Sequence, residues 1–302
     1  MPKIYVLHHD DNDGYASALS LYQIYQDNAT YIPVQYGQKF PDIVLDKETI
    51  IYIVDFSYNR DILEDVHSKV RSLLVLDHHE SAEKQLEGLP YAIFDMKVAG
   101  ATLCWNYFHG HLKEEMPYVL KLVDDYDLWK FEFNDTRRFH YGMDTLGYSK
   151  DLSKWNDILH SKSILDEIIL TGGCVEEYVN NHIASFKSKR KFKVTLDNQG
   201  RRVAVYNTTT LINELAESLY KDEDLNIDYS MSYFVTKEGT IVFSLRSDKD
   251  NVNAPRVNDI AEEMSAKFGI GSGGGHPNAA GCNTSFSKGV CHLAGMYDLL
   301  DE

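Results

Sequence analysis

The chain has 302 residues, 43% of them apolar and 25% charged, enough for two domains of ordinary size with a core in each. With 46 acidic against 30 basic side chains the formal net charge is −16, which excludes binding to long duplex DNA by general electrostatics. No run approaches the roughly 18 apolar residues of a membrane helix, no basic and apolar leader opens the chain, and Cys104, Cys174, Cys282 and Cys291 form no C-x-x-C. The expectation is a cytoplasmic protein with reduced thiols, no membrane contact, and neither a thiolate zinc site nor a disulfide framework.

The opening KIYVL predicts a strand, and Ala18, Leu21, Tyr22 and Tyr25, at i, i+3, i+4 and i+7, predict an amphipathic helix behind it. TIIYIV predicts a buried strand, followed by a helix with Leu63, Val66 and Val70 on one side. SLLVL and YAIF predict two more strands. Ala101, Cys104, Trp105 and Phe108 mark one further helix, and Val119, Leu122, Val123 and Tyr126 another. Such alternation predicts an α/β fold, a parallel sheet with helices on both faces.

From about residue 150 the pattern turns helical through CVEEYVNNHIASFKSKRKF, whose basic cluster reads as a solvated helix face. RRVAVYN predicts a strand, and SMSYFVTKEGTIVFSLRS a hairpin turning at Glu238 and Gly239. VNDIAEEMSAKF predicts a helix that leads into a glycine loop, GIGSGGGHPNAAG. The expected organisation is a first domain over 1–175, a helical linker over 176–191 and a smaller α/β domain over 192–302.

Ligands of parallel sheets bind beyond the carboxyl ends of the strands. After KIYVL comes HHDDNDG, after TIIYIV comes Asp55, after SLLVL come Asp77, His78 and His79, and after YAIF comes Asp95. Four strand ends carrying carboxylates and imidazoles point to a cation site. An EF-hand fails, because its twelfth position would be Ser20 and a strand stands where a helix is required. A mixed His/Asp set suits Mn²⁺ or a similar ion, and two metals need a bridging carboxylate. Asp55, alone at the end of a central strand, is the natural bridge. His8 reads as structural, and Asp77 as a residue that orients its neighbours.

HHDDNDGYASA, IVDFS, LDHHES and VDDYDLW, in this order, resemble the four motifs of the DHH phosphoesterase superfamily. FSLRS and GSGGGHPNAAGC resemble the DHH-associated substrate-binding domain of the first type, and the compact H-x-D-x-D-G is similar to the oligoribonuclease (nano-RNase)-like branch. The resemblance implies one metal on His9 and Asp11, a second on Asp13, His78 and a carboxylate among Asp124, Asp125 and Asp127, taken as Asp127, with Asp55 bridging. It implies that His79 contacts a phosphoryl oxygen or helps protonate the leaving oxygen, that Arg246, Gly273, Gly274, Gly275 and His276 bind substrate, and that the active site lies in an interdomain cleft.

The function so implied is a metal-dependent phosphodiesterase with two divalent cations, Mn²⁺ first and Co²⁺ or Mg²⁺ as alternatives. Its substrates are short single-stranded oligoribonucleotides or dinucleotides, cut to nucleoside monophosphates. Alternatives are a 3′-phosphoadenosine 5′-phosphate phosphatase, a cyclic-dinucleotide phosphodiesterase, an inorganic pyrophosphatase or exopolyphosphatase, and a silent nucleotide-sensing module. The resemblance also allows a homodimer.

Overall fold

The apolar run KIYVL continues as strand β1 (Lys3–His9) through both histidines, so His8 and His9 belong to the strand and not to the loop behind it. The computed structural model describes residues 2–110, 115–268 and 273–298. Its contacts divide the chain into two units, Met1–Glu177 and Tyr178–Glu302.

In the first unit β1 is followed by α1 (Asn12–Tyr25), β2 (Ala29–Val34), β3 (Thr49–Val54), α2 (Arg60–Lys69), β4 (Ser72–Asp77), α3 (Glu80–Leu86) and β5 (Ala92–Phe94). Helices α4 (Gly100–His109), α5 (Tyr118–Asp127), α6 (Thr136–Thr145) and α7 (Leu152–His160) come next, and α8 (Lys162–Ser188) runs across the division between the units. All pairs in the sheet are parallel, in the order β2-β1-β3-β4-β5.

The strands read as continuous apolar runs because both faces are buried. Leu7, Ile51, Ile53 and Val75 pack with Leu63 and Val66 of α2 and Leu86 of α3. Their neighbours Val6, Val54 and Leu76 point the opposite way, onto Ala18 and Leu21 of α1 and Leu103 and Cys104 of α4. A further layer, from Val119 and Leu122 of α5 to Phe139 of α6 and Trp155 of α7, covers the outer side of α1 and α4.

Strand β2 is absent from the sequence expectation because Pro33 interrupts ATYIPV. The structure tolerates that proline at the edge, where β2 pairs with β1 alone and the missing N–H breaks no second ladder. The consequence is functional: the chain goes to one side of β1 for β2 and to the other for β3, so the order reverses at β1/β3. Ligand crevices of open parallel sheets form at such a reversal.

The second unit holds β6 (Lys193–Leu196), β7 (Arg202–Asn207), α9 (Ile212–Tyr220), β8 (Tyr229–Val235), β9 (Thr240–Arg246), α10 (Val257–Phe268), β10 (Gly273–His276), β11 (Ala279–Ser285) and α11 (Phe286–Asp298). Its mixed sheet runs β10-β11-β9-β8-β7-β6, with β7 and β8 parallel and the other pairs antiparallel. The β8–β9 hairpin turns where expected, with Gly239 at φ 76°.

The glycine loop is corrected: within it Gly273, Gly274, Gly275 and His276 form edge strand β10. Close packing is the reason. A Cβ on Gly273 would fall 2.3 Å from the Ala261 carbonyl oxygen of α10, so glycine lets helix and strand touch backbone to backbone.

Candidate metal centre

Helix α1 starts only two residues after β1 ends, and this tight joint explains the spacing H-x-D-x-D-G. Asp11 caps α1 by accepting the Gly14 N–H at 2.9 Å. A Cβ on Gly14 would stand 2.1 Å from the His9 carbonyl oxygen, so only glycine lets the helix turn back over the strand end. Asp13, in the first turn, is buried and accepts the Gly100 and Ala101 N–H groups at 2.7 and 2.8 Å.

Asp55 follows β3 with φ 54°, in the left-handed region that Asp adopts more readily than most residues. Gly100 backs it so closely that a Cβ there would lie 2.6 Å from the Asp55 Cβ. The Nε2 of His78, at the end of β4, stands 3.1 Å from Asp55 Oδ1, 3.4 Å from Asp13 Oδ2 and 3.6 Å from Asp127 Oδ2. On the other side His9 Nδ1 lies 2.5 Å from Asp11 Oδ2 and 3.9 Å from Asp55 Oδ2.

Three groups result: His9, Asp11 and Asp55; Asp13, His78 and Asp127; and Asp55, His78 and His79. Within each, the donor atoms lie within 4.8 Å of one another. The structure thus brings together all six residues expected to hold metal, with Asp55 between the two outer sets.

Electrostatics favour a cation at this point. Both Asp55 oxygens are buried without a hydrogen-bond partner. Burial and the neighbouring charges of Asp13, Asp11 and Asp127 push its carboxyl well above the usual carboxylate range. Partial burial and the charges of Asp13 and Asp11 raise Asp127 as well. A buried carboxylate with no donor is costly, and a divalent cation removes that cost at both oxygens. Nitrogen and oxygen donors mixed in this way fit Mn²⁺ or a similar ion.

Neighbouring residues divide by what they touch. Asp77 accepts from Ser57 Oγ at 2.5 Å, from the His78 N–H at 2.7 Å and from the His79 ring at 2.6 Å, which orients both histidines. Burial would lower the His79 pKa, yet the hydrogen bond and charge of Asp77 raise it. His8 is buried, bonded to the His9 carbonyl at 2.9 Å, and its pKa is lowered to about 4 by burial.

Asp95 does not join the other strand ends; it accepts the Lys97 N–H in its own turn at 2.9 Å. The three aspartates of VDDYD separate as well. Asp124 takes the Ala99 N–H and Lys130, while Asp125 takes the N–H groups of Glu132 and Phe133 and the Thr136 hydroxyl. Asp127 is the one that faces His78.

Three further residues stand beside the centre. Tyr36, just after β2, is 54% exposed, meets His9 and His79 edge-on at 5.6 and 5.9 Å and leans on Phe56 at 4.6 Å. Asn12 and His140 join across 128 residues, Nδ2 to Nδ1, at 2.9 Å. An excess of tyrosine hints at the first; nothing local hints at the pair.

In the second unit Arg246 of β9 lies opposite Ala279 of β11, which lies opposite His276 of β10. Directly paired residues share a face, so Arg246 and His276 sit on one row two strand spacings apart, roughly 9–10 Å. Arg246 is half-buried, and its hydrogen bonds go to neutral acceptors: Asn213 Oδ1 at 2.8 Å and the carbonyls of Leu245 and Ala280 at 2.9 and 3.3 Å.

A parallel sheet with a His/Asp cluster along its carboxyl edge, followed in the chain by a separate mixed-sheet unit, is the class of molecule described so far. Residues 3–125 match the model of the DHH family, N-terminal domain. An uncharacterized protein of Acanthamoeba polyphaga mimivirus is 27% identical over 304 residues, which cover 92% of this chain. The chain spans just under two thirds, 66%, of that relative's length.

Among solved structures, the pGpG-specific phosphodiesterase PggH of Vibrio cholerae is similar with a TM-score of 0.56 at 18% identity, covering 98% of each chain. RecJ of Thermus thermophilus in complex with Mn²⁺ gives a TM-score of 0.57 at 13% identity, over 97% of this chain and 51% of RecJ. These likenesses are of fold. Among the described residues no helix is long and apolar enough to cross a membrane.

Proposed function

We propose that this chain is a phosphodiesterase that uses two divalent cations, Mn²⁺ foremost, to cut short single-stranded oligonucleotides or dinucleotides to nucleoside monophosphates. One observation carries the reading: Asp55, with both oxygens buried and without a hydrogen-bond partner, stands between the His9–Asp11 set and the Asp13–His78–Asp127 set. The match to the DHH family model, the activity named for PggH and the Mn²⁺ named for RecJ support it. The compact opening motif and the Gly-Gly-Gly-His strand favour the oligoribonuclease-like branch and a DHH-associated second domain.

When bound, such cations supply a nucleophile from water near neutral pH and offset charge on the phosphoryl oxygens. The chain's own residues do the rest. His9, Asp11 and Asp55 would hold one cation, and Asp13, His78 and Asp127, with Asp55, the other. Asp77, fixed by Ser57, locks the His79 ring through Nδ1 and favours its protonated form, so that His79 can give a proton to the leaving oxygen. Arg246 and His276 bind a further phosphate of the substrate.

The test is a panel assayed with chelator-treated protein and added Mn²⁺: diadenylate, five-nucleotide RNA, cyclic dinucleotide, 3′-phosphoadenosine 5′-phosphate and pyrophosphate. The linear oligonucleotides should be fastest, with no turnover before Mn²⁺ is restored. Faster pyrophosphate hydrolysis, or full activity in chelator, would overturn the proposal.

A further inference from the structure

Beside the cluster the first unit holds a cavity of about 330 Å³. Asp11, Asp13 and Asp127 form one side of its lining, and Asn12, Tyr126 and His140 belong to the rest. That volume is at the small end of ligand pockets, the size of one nucleoside and not two.

His140, on α6, is only 8% exposed and stacks on the Tyr126 ring at 3.4 Å and 15°. Asn12 sits between two of the proposed metal-holding carboxylates. After the 2.9 Å bond between them, one atom on each remains buried with no partner: Asn12 Oδ1 and His140 Nε2. Buried polar atoms are nearly always bonded, so two orphans on one bonded pair, whose residues both line one cavity, point to a ligand.

The pair specifies that ligand. Burial holds the His140 pKa down to about 3, so the ring is neutral and has one donor and one acceptor nitrogen. If the Asn12 amide donates to Nδ1, the atoms left over are the Nε2–H donor and the Oδ1 acceptor. If the ring donates instead, they are the Nε2 acceptor and the amide donor. Either way one donor and one acceptor remain, and a hydroxyl, which is both, satisfies each arrangement. Away from its metal-holding side the cavity does not suit an anion: Asp10 and Asp144 line it there, and its single lysine, Lys150, is bound to Asp10 at 2.6 Å.

We propose that this cavity receives the sugar of the nucleotide next to the bond being cut, and that Asn12 and His140 bind its 2′-hydroxyl, making the chain selective for ribonucleotides. The inference rests on the phosphodiesterase reading and adds to it what separates RNA from DNA. The 2′-hydroxyl, donor and acceptor at once, is the group by which proteins make that distinction. A site built to bond a hydroxyl strongly rejects the analogue without it, because its own polar groups are left unpaired.

The experiment compares kcat/KM, with Mn²⁺, for a diribonucleotide, its two singly 2′-deoxy versions and the fully deoxy dinucleotide. In the parent, deoxy substitution at one of the two positions should cost tenfold or more, and at the other under threefold. In His140→Phe, which keeps a ring against Tyr126 but has no nitrogen, the same deoxy substitution should cost under threefold. Equal rates on ribo and deoxy substrates in the parent would overturn the inference and leave the reading of function standing. An undiminished deoxy penalty in His140→Phe would do the same. Failure of the parent to cut any dinucleotide would overturn both.

Discussion

The Asp13 carboxylate accepts the first two N–H groups of α4, those of Gly100 and Ala101, at 2.7 and 2.8 Å across 87 and 88 residues of chain. A helix N-terminus favours a carboxylate there, among Asp11, Asp55 and Asp127 where like charges repel. Asp127, 3.6 Å from His78 and with 32% of its side chain exposed, has no such cap.

The two aspartates should therefore differ in what they do for the fold. Asp13→Ala leaves two buried N–H groups unpaired, at about 1–3 kcal/mol each, and should lower stability by roughly 2–6 kcal/mol in chelator. Asp127→Ala should cost under about 1 kcal/mol while lowering Mn²⁺-dependent turnover as much. Denaturant unfolding of both variants checks this, and equal losses would mean that the α4 cap is not what holds Asp13.

Asp55→Asn should separate stability from activity. The carboxylate is buried without a donor among like charges, and each unit by which its pKa is raised is about 1.4 kcal/mol of cost to its charged form. The variant should unfold at higher denaturant concentration than the parent in chelator, and its turnover should fall by at least a hundredfold. Thermal or urea unfolding beside a dinucleotide assay reads both; retained turnover would sink the bridging role.

The same groups predict a pH dependence. Burial and neighbouring carboxylates raise Asp55 and Asp127 above the ordinary value of 3.8, so the folded, metal-free chain keeps protons that the unfolded chain has lost. Stability in chelator should thus fall as pH rises from about 3.8 through the raised values, because the folded state binds more protons in that window. Cation binding must expel those protons. Calorimetric titration of Mn²⁺ at pH 6 in two buffers of different ionisation heat should show proton release that shrinks as pH rises. Buffer-independent heats would contradict it.

Arg246 gives a prediction for the second unit. Losing a charge-assisted hydrogen bond costs about 1.5–3 kcal/mol, so Arg246→Ala should lower kcat/KM for a dinucleotide roughly 10- to 150-fold. A small phosphate ester with no second phosphate should be affected less than threefold. Equal losses on the two substrates would assign Arg246 to the fold alone, through its bonds to Asn213, Leu245 and Ala280.

Much of this protein is legible in its residues. Apolar runs of strand length alternating with helical periodicity define a parallel sheet, and parallel strands place all their carboxyl ends on one edge. His9, Asp55 and His78 lie on that edge for this reason, as does Asp95; that the first three meet and Asp95 stays in its own turn follows from the strand order β1-β3-β4. Asp11 and Asp13 follow within one helical turn.

Other features depend on contacts that no local pattern reports. Periodicity says which face of an element a residue occupies, but not what arrives opposite it. Asp124, Asp125 and Asp127 lie within one turn of α5 and have the same chemistry; Lys130, the Glu132 and Phe133 N–H groups with the Thr136 hydroxyl, and His78 sort them. Pro33 hid β2 until the edge of the sheet gave it a place. His140 meets Asn12 only because α6, packed on α5, brings it to the start of α1, and the cavity they line exists in the tertiary structure alone.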